Sequence, residues 1–240
     1  ASDVKERATR DVVSRSSFME IRGGRGTPNG GVFIDASVMG PEFVEKNFPG
    51  MVERCWDYGF DLAHSRVEVS PTAHFFMGGV KINTRCLTDL EGLYVAGEDS
   101  GGVHGANRLG GNGIADSTVY GGIAGDSMAN DVIGQELLPF DEKRVEEIIR
   151  ELEAPLGREG ADLYPLRETL RLSNWENLGI IRDEKGLQEA LRTIQELKEK
   201  MDQVGIAGSR AYNITWNDWL NFRNMLEVSE MIGRSAMERK

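Results

Sequence analysis

Apolar residues are distributed differently in the two halves of this chain. In the first half they come in short runs broken by glycine, and in the last hundred residues they recur every three to four positions. The spacing of Val4, Ala8, Val12, Ser16 and Met19 predicts a helix over residues 1–22. GGRGTPNGG (Gly23–Gly31) is rich in turn dipeptides and reads as a loop, followed by a short strand at Val32–Asp35. Residues 41–59 have helical spacing, with Phe43, Val44, Phe48, Met51, Val52 and Trp56 on one side and a break at Pro49. VEVSP then TAHFFMGGVKIN predict strand, turn, strand, bending at Gly78-Gly79. Leu93–Ala96 reads as a buried strand that ends at Gly97 and Glu98. Gly113–Ile133 reads as a helix despite its glycines, each of which costs about 1 kcal/mol against alanine. Close packing of Gly113, Gly121, Gly122, Ala124 and Gly125 against a strand or a cofactor would offset that cost.

From about residue 137 glycine thins out and the helical period takes over. Val145, Ile148, Ile149 and Leu152 share one face, as do Leu187, Leu191, Ile194, Leu197 and Met201. Thr215–Asp218 fits a capping box, and Trp219, Phe222, Leu226, Ser229, Gly233 and Ala236 follow at heptad-like spacing. The pattern predicts an α/β part followed by an all-α part. The second is an antiparallel bundle of at least three helices that buries Trp219, Phe222 and Leu226.

Charge and composition narrow the chemistry. At 240 residues, 40% hydrophobic and 28% charged, the chain has an ordinary globular composition. A net charge of −11 argues against nucleic acid and anionic membrane as partners while leaving room for a local positive pocket. Cys55 and Cys86 have no metal-ligand spacing and read as reduced thiols of a cytoplasm-like compartment; a single disulfide between them stays open. The three histidines add no ligand pattern, so no metal is expected. No apolar run is long enough to span a bilayer, and the charged first ten residues lack the apolar stretch of a signal peptide. Both termini read as cuts rather than natural ends.

The densest chemistry is VHGANRLGGNG (Val103–Gly113), where one arginine and one histidine sit among four glycines. Arg108 offers a rigid fork of donors suited to a carboxylate or phosphate, and glycines let a ligand approach the backbone. Gly111-Asn112-Gly113 opens a helix whose free N–H groups suit an anion, or Asn112 simply caps it. Glu98, at a strand end, fits a hydroxyl-rich chain such as ribose or ribityl. His104 reads as a ring that fixes its loop, His74 as either a core histidine or a ligand, and His64 as surface. Arg10 and Arg15 have the spacing of helix-surface charges.

Four ordered motifs, TRDVVSRS, TAHFFMGGV, GLYVAGE and VHGANRLGGNG, resemble the flavoprotein subunit of succinate dehydrogenase and fumarate reductase, whose superfamily includes L-aspartate oxidase. SNWENLGIIRDEKGL and WLNFRNML resemble that family's C-terminal helical domain. The resemblance implies residues 1–68 as the C-terminal part of a capping domain, 69–136 as the C-terminal part of a Rossmann-like FAD-binding domain, and 137–240 as the helical domain. It implies hydride transfer between FAD and a C4 dicarboxylate, fumarate or succinate. It also implies Arg10 as proton donor, His74 and Arg108 as carboxylate ligands, and Glu98, Gly113 and Ile114 as FAD contacts. An iron–sulfur subunit of a membrane-associated complex is the implied electron partner, with the flavoprotein on the cytoplasmic side. Two departures stand out. The family usually has serine and leucine where this chain has Gly113 and Ile114, so a serine contact to FAD is lost. The dinucleotide motif, the flavin-linked histidine and the first part of the capping domain of that family have no counterpart here. The alternatives are an L-aspartate oxidase-type enzyme and a non-catalytic fragment serving as an interaction module.

Overall fold

The computed structural model describes residues 8–137 and 139–239 and divides into two compact units, residues 1–138 and 139–240. The first is mixed α/β. Its opening helix, α1 (Arg10–Glu20), ends in a wide turn over Ile21–Arg25. Val4 and the rest of residues 1–7 lie outside the described residues. Phe18 is the side chain α1 buries, while Met19 is exposed: the larger ring one position away takes the inward place.

Strand β1 (Val32–Asp35) pairs antiparallel with β2 (Arg66–Val69), from Val32 opposite Val69 to Asp35 opposite Arg66. An ion pair of 3.3 Å between Asp35 and Arg66 closes that end. Between the strands run α2 (Pro41–Asn47) and α3 (Pro49–Asp57), separated where the sequence places Pro49. Each begins with proline in its first turn, where the missing N–H has no intrahelical partner to lose. Ala36, Val44, Leu62, Ala63 and Val67 form the core here, with Val52, Cys55 and Val69 against it. The broader apolar side expected of this segment is not covered: Phe43, Phe48, Met51 and Trp56 are exposed. A two-stranded sheet presents too little surface to bury two helices.

The expected strand–turn–strand over residues 67–83 is corrected in part. VEV forms part of β2, but TAHFFMGG has no ladder partners, and beyond it only β3 (Val80–Lys81) pairs, in parallel, with β4 (Ser100–Gly101). Leu93–Ala96 is likewise not a buried strand. Its one bridge joins Tyr94 to Leu87, and Leu93 is exposed. A strand persists only with a neighbour to bond its backbone, and no other described segment supplies one. Glu98 therefore sits in a single 3-10 turn, Gly97–Asp99. Helix α4 (Asn112–Asp131) follows, close to its predicted bounds. Its glycine face is a second correction. A Cβ on Gly121, Gly122 or Gly125 would meet open space, so of the expected face only Gly113 and the buried Ala124 are closely packed. At the far end of α4, Asp131 accepts from the Tyr94 hydroxyl and from Arg85 at 2.5 Å, which ties the helix to the preceding loops.

The second unit is helical: α5 (Glu142–Glu153), α6 (Leu163–Asn177), α7 (Glu184–Met201) and α8 (Ile214–Glu238). All four begin behind an Asp or Asn that accepts a backbone N–H: Asp141 from Arg144, Asp162 from Tyr164, Asp183 from Gly186, Asn213 from Trp216. Such caps satisfy donors the first turn leaves over. The α8 cap corrects the predicted register, since Asn213, already in extended conformation, takes the role assigned to Thr215. Helices α6, α7 and α8 pack around one core that includes Leu170, Leu187, Ile194, Leu197, Trp219, Phe222 and Leu226. Helix α5 stays outside it, with Val145, Ile148 and Ile149 exposed, and is held through its C-terminal end. There the Trp216 indole donates to the Leu152 carbonyl at 2.8 Å and Arg210 pairs with Glu153 at 2.9 Å. Among the described residues no helix is long and apolar enough to cross a membrane.

Candidate functional site

The glycine-rich loop 103–111 delivers Arg108 to the head of α4. Gly111, the residue before the helix, has φ +86°, a left-handed conformation that favours glycine and turns the chain sharply into α4. Arg108 is 9% exposed. Its guanidinium carbon lies 4.1 Å from the centroid of the Phe75 ring, a cation–π contact. Nη1 donates to the Leu109 carbonyl at a long 3.4 Å, the backbone N–H donates to the Met77 sulfur at 3.0 Å, and Nε is buried with no hydrogen-bond partner. None of the ion pairs among the described residues includes Arg108. A guanidinium kept this far from water, with an orphan donor and no carboxylate, has the donor set of an anion clamp.

The TAHFFMGG segment crosses this loop through its middle residues. Phe75 carries Arg108, Met77 receives the Arg108 N–H, and the Phe76 N–H donates to Glu98 Oε1 at 2.7 Å. Gly113 fits closely under the same contact: a Cβ there would lie 3.0 Å from Phe75 Cε2 and 3.4 Å from Arg108 Nη1, so those side chains would have to give by a few tenths of an ångström. His74 itself is exposed. Arg10, the exposed first residue of α1, reaches the loop and donates to the Arg108 carbonyl at 3.5 Å. Its neighbour Asp11 accepts from Asn107 at 3.1 Å and pairs with Arg15 at 3.4 Å. A hydrogen bond from Thr9, opposed by slight desolvation, is the largest influence holding the Asp11 carboxyl below its ordinary value.

The structure thus gathers Arg10, Arg108, Glu98, Gly113 and the residues flanking His74 into one region of the first unit. Ile114 is there too, but 82% exposed, so its side chain rests on nothing in the chain. His64 is on the surface, with Nδ1 3.1 Å from Asp61. The surfaces that could receive a cofactor are open backbone at the head of α4, the second oxygen of Glu98, and the uncovered glycine face of α4. These fit a flat, hydroxylated cofactor at the level of its ring and side chain. The dinucleotide glycine pattern GxGxxG, which grips a pyrophosphate, does not occur in this sequence.

Two residues escaped the sequence reading. Asp116, in the first turns of α4, is almost wholly buried, and its Oδ2 lies 3.1 Å from His104 Nε2. Phe75 meets His104 edge to face at 5.3 Å and Arg108 on its ring face. An acid one turn into a glycine-rich helix, beside the opening motif, was the available signal for Asp116. The expectation of His104 as a ring fixing its loop lacked this partner. Both cysteines are free thiols; Cys86 is buried, donates to the Tyr120 carbonyl at 3.5 Å, and is pushed above the usual thiol range by burial and then by the Asp116 charge.

Comparison with known proteins agrees with this geometry. Residues 3–114 match the family described as FAD binding domain, and residues 167–240 match the family described as fumarate reductase flavoprotein C-term. The chain is 37% identical over 243 residues to one of the subunits of the CoM/CoB fumarate reductase of Methanothermobacter marburgensis, covering 98% of this chain and 43% of that protein. It is 34% identical over 241 residues to an L-aspartate oxidase of Yersinia pestis, covering 98% of this chain and 42% of that protein. Its fold superposes on Sdh1 of Mycobacterium smegmatis with a TM-score of 0.88 at 36% identity, over 100% of this chain and 40% of the other. The chain therefore spans well under half the length of the relatives it matches. Over that span it matches family domains of the flavoprotein subunits of succinate dehydrogenase and fumarate reductase and resembles them in fold.

Proposed function

We propose that this chain is the substrate-facing, C-terminal portion of an FAD-dependent oxidoreductase that interconverts fumarate and succinate. The observation that carries the reading is Arg108, a nearly buried guanidinium with an orphan Nε and no carboxylate of its own, at the head of a helix that opens on glycine. A dicarboxylate supplies the missing anion. Arg108 binds one carboxylate and withdraws charge from the adjacent carbon. His74, exposed on the segment that carries Phe75, binds a carboxylate as a second ligand. Arg10 stands across the loop as proton donor to the substrate carbon. A free guanidinium is a very weak acid, so this role needs reprotonation in the same step, and Asp11 beside it is the nearest carboxylate on α1. FAD, when bound, supplies the hydride exchange. Glu98, through the oxygen that Phe76 leaves free, and the backbone of Gly113 and Ile114 would hold it.

By this reading residues 1–68 belong to a capping domain, 69–136 to the FAD-binding domain and 137–240 to a helical domain. Electrons pass to an iron–sulfur subunit of a complex associated with the cytoplasmic face of a membrane. The oxidase alternative shares the residues around Arg108 but needs no such partner. Fumarate reduction by the full-length protein, driven by a reduced viologen dye, tests the function: Arg108→Ala is expected to abolish it. Near-normal turnover in that variant would remove Arg108 from the site. L-Aspartate oxidation with oxygen as acceptor, at a higher rate than succinate oxidation, would assign the protein to the other branch.

A further inference from the structure

The functional reading uses Arg108 but leaves the most buried ionisable pair of the first unit unexplained. His104 and Asp116 have side chains only 7% and 1% exposed, 3.1 Å apart. An ionised carboxylate only accepts, so an ionised Asp116 takes its hydrogen bond from an Nε2–H and fixes which face and edge the imidazole presents. Asp116 Oδ1 has no partner, so the carboxylate is buried with His104 as the ligand that satisfies it. Burying a carboxylate costs more than one hydrogen bond returns. A structural role for one loop would be met as well by an apolar pair.

The contacts run on in one line. The His104 ring meets Phe75 edge to face, with centroids 5.3 Å apart and planes at 78°. The face of the same ring carries the Arg108 guanidinium, 4.1 Å from its centroid. Arg108 has no ion pair and one long hydrogen bond to orient its fork, so the ring is what sets the plane in which its donors point. We propose that Asp116 and His104 are positioning residues for Arg108, acting through the Phe75 ring to aim the guanidinium at a substrate carboxylate. Neither touches the substrate. The inference rests on the reading of Arg108 as carboxylate ligand, and it adds three residues, Phe75, His104 and Asp116, to the specificity apparatus.

The test has one arm that does not depend on catalysis. Arginine-directed labelling with phenylglyoxal, read by peptide mass spectrometry on the full-length protein without dicarboxylate, reports how firmly Arg108 is held. Wild-type protein is expected to label slowly at Arg108. Asp116→Ala and Phe75→Leu should each label about tenfold faster there, the size of effect expected when a locked group is released. The exposed Arg54 serves as an unchanged internal reference. Asp116→Asn keeps an oxygen that can accept from Nε2 and should restore protection to near the wild-type level. In the second arm, Asp116→Ala should raise the KM for fumarate about tenfold while kcat changes less than about threefold, the pattern of weakened ground-state binding.

Unchanged Arg108 labelling in both Asp116→Ala and Phe75→Leu would overturn the proposal. So would Asp116→Asn labelling as fast as Asp116→Ala. If Asp116→Ala does not fold, Phe75→Leu carries the labelling arm alone. Should Arg108→Ala retain full turnover, the functional reading fails by itself, and the labelling arm still decides whether the line from Asp116 to Arg108 exists.

Discussion

Replacing Arg108 by methionine should make the protein more stable and inactive at once. The perturbation keeps an unbranched apolar stem and removes the charged head. In the folded state that head is 9% exposed, its Nε is buried without a partner, and its one side-chain hydrogen bond is 3.4 Å long. An unsatisfied buried donor costs about 1–3 kcal/mol, and the charge adds a desolvation cost of its own. Against this stands the contact with Phe75, worth about 2 kcal/mol when desolvated. Methionine keeps part of that through its sulfur, about 0.3–1.5 kcal/mol against a ring. The balance favours methionine by roughly 1–2 kcal/mol, or about 2–8 °C in melting temperature for a protein of this size. Hydrogen exchange of the α4 amides measures this in the unit that holds Arg108, without interference from the helical unit. Function moves the other way. Two charged hydrogen bonds to a carboxylate, at about 1.5–3 kcal/mol each, correspond to a loss of about 10²–10⁴ in kcat/KM. A methionine variant destabilised by more than about 1 kcal/mol would make Arg108 a structural cation, and the clamp reading would fail with it.

Other outcomes follow from the same geometry. Phe222→Ala, at a fully buried site in the α6–α8 core, should cost about 3–5 kcal/mol, read by urea unfolding followed through tryptophan fluorescence. Glu230 accepts from Lys198 at 2.6 Å and from Arg234, and these bonds hold its carboxyl below the ordinary 4.5. A depressed folded pKa stabilises above the unfolded value and is lost as pH falls through the folded one. Wild type should therefore out-melt Glu230→Gln at pH 7, and the gap should close on acidification below about pH 4.5; a pH-independent gap would assign the effect to packing. Burial raises the Cys86 thiol above its ordinary 9.0, so an aromatic disulfide reagent at pH 8 should modify Cys55 first and reach Cys86 only on unfolding. The 240-residue chain alone, which lacks a GxGxxG, should purify without flavin absorbance near about 450 nm and reduce no fumarate; a yellow, active preparation would contradict the assignment of the cofactor grip to other sequence.

Most of what is legible in the sequence has its partners close along the chain; the strand Val32–Asp35 is an exception, legible although its partner Arg66–Val69 is distant. Helix α7, with Leu191 half-buried, and the run Trp219, Phe222, Leu226, Ser229 in α8 turn inward the faces their period predicts, because one helix needs only an apolar neighbour to realise its pattern. Proline at position 49 divides α2 from α3 for a reason internal to the backbone. Strands behave otherwise. TAHFFMGG and Leu93–Ala96 carry strand composition, but a strand is made by the segment beside it, and here no neighbour completes either one. Helix α5 has an equally clean apolar face that stays exposed, so periodicity states what a face can bury and not that anything covers it. The site divides along the same line. Arg108 and Gly113 stand out in VHGANRLGGNG because their chemistry is unusual where they sit. Asp116 and Phe75 do not, since a helix-surface aspartate and a core phenylalanine have the same letters as these two. What distinguishes them is contact: with the 31-residue span from Met77 to Arg108 closed by a backbone bond to sulfur, Phe75 falls between a histidine and an arginine, and an ordinary ring becomes the surface that orients a charge.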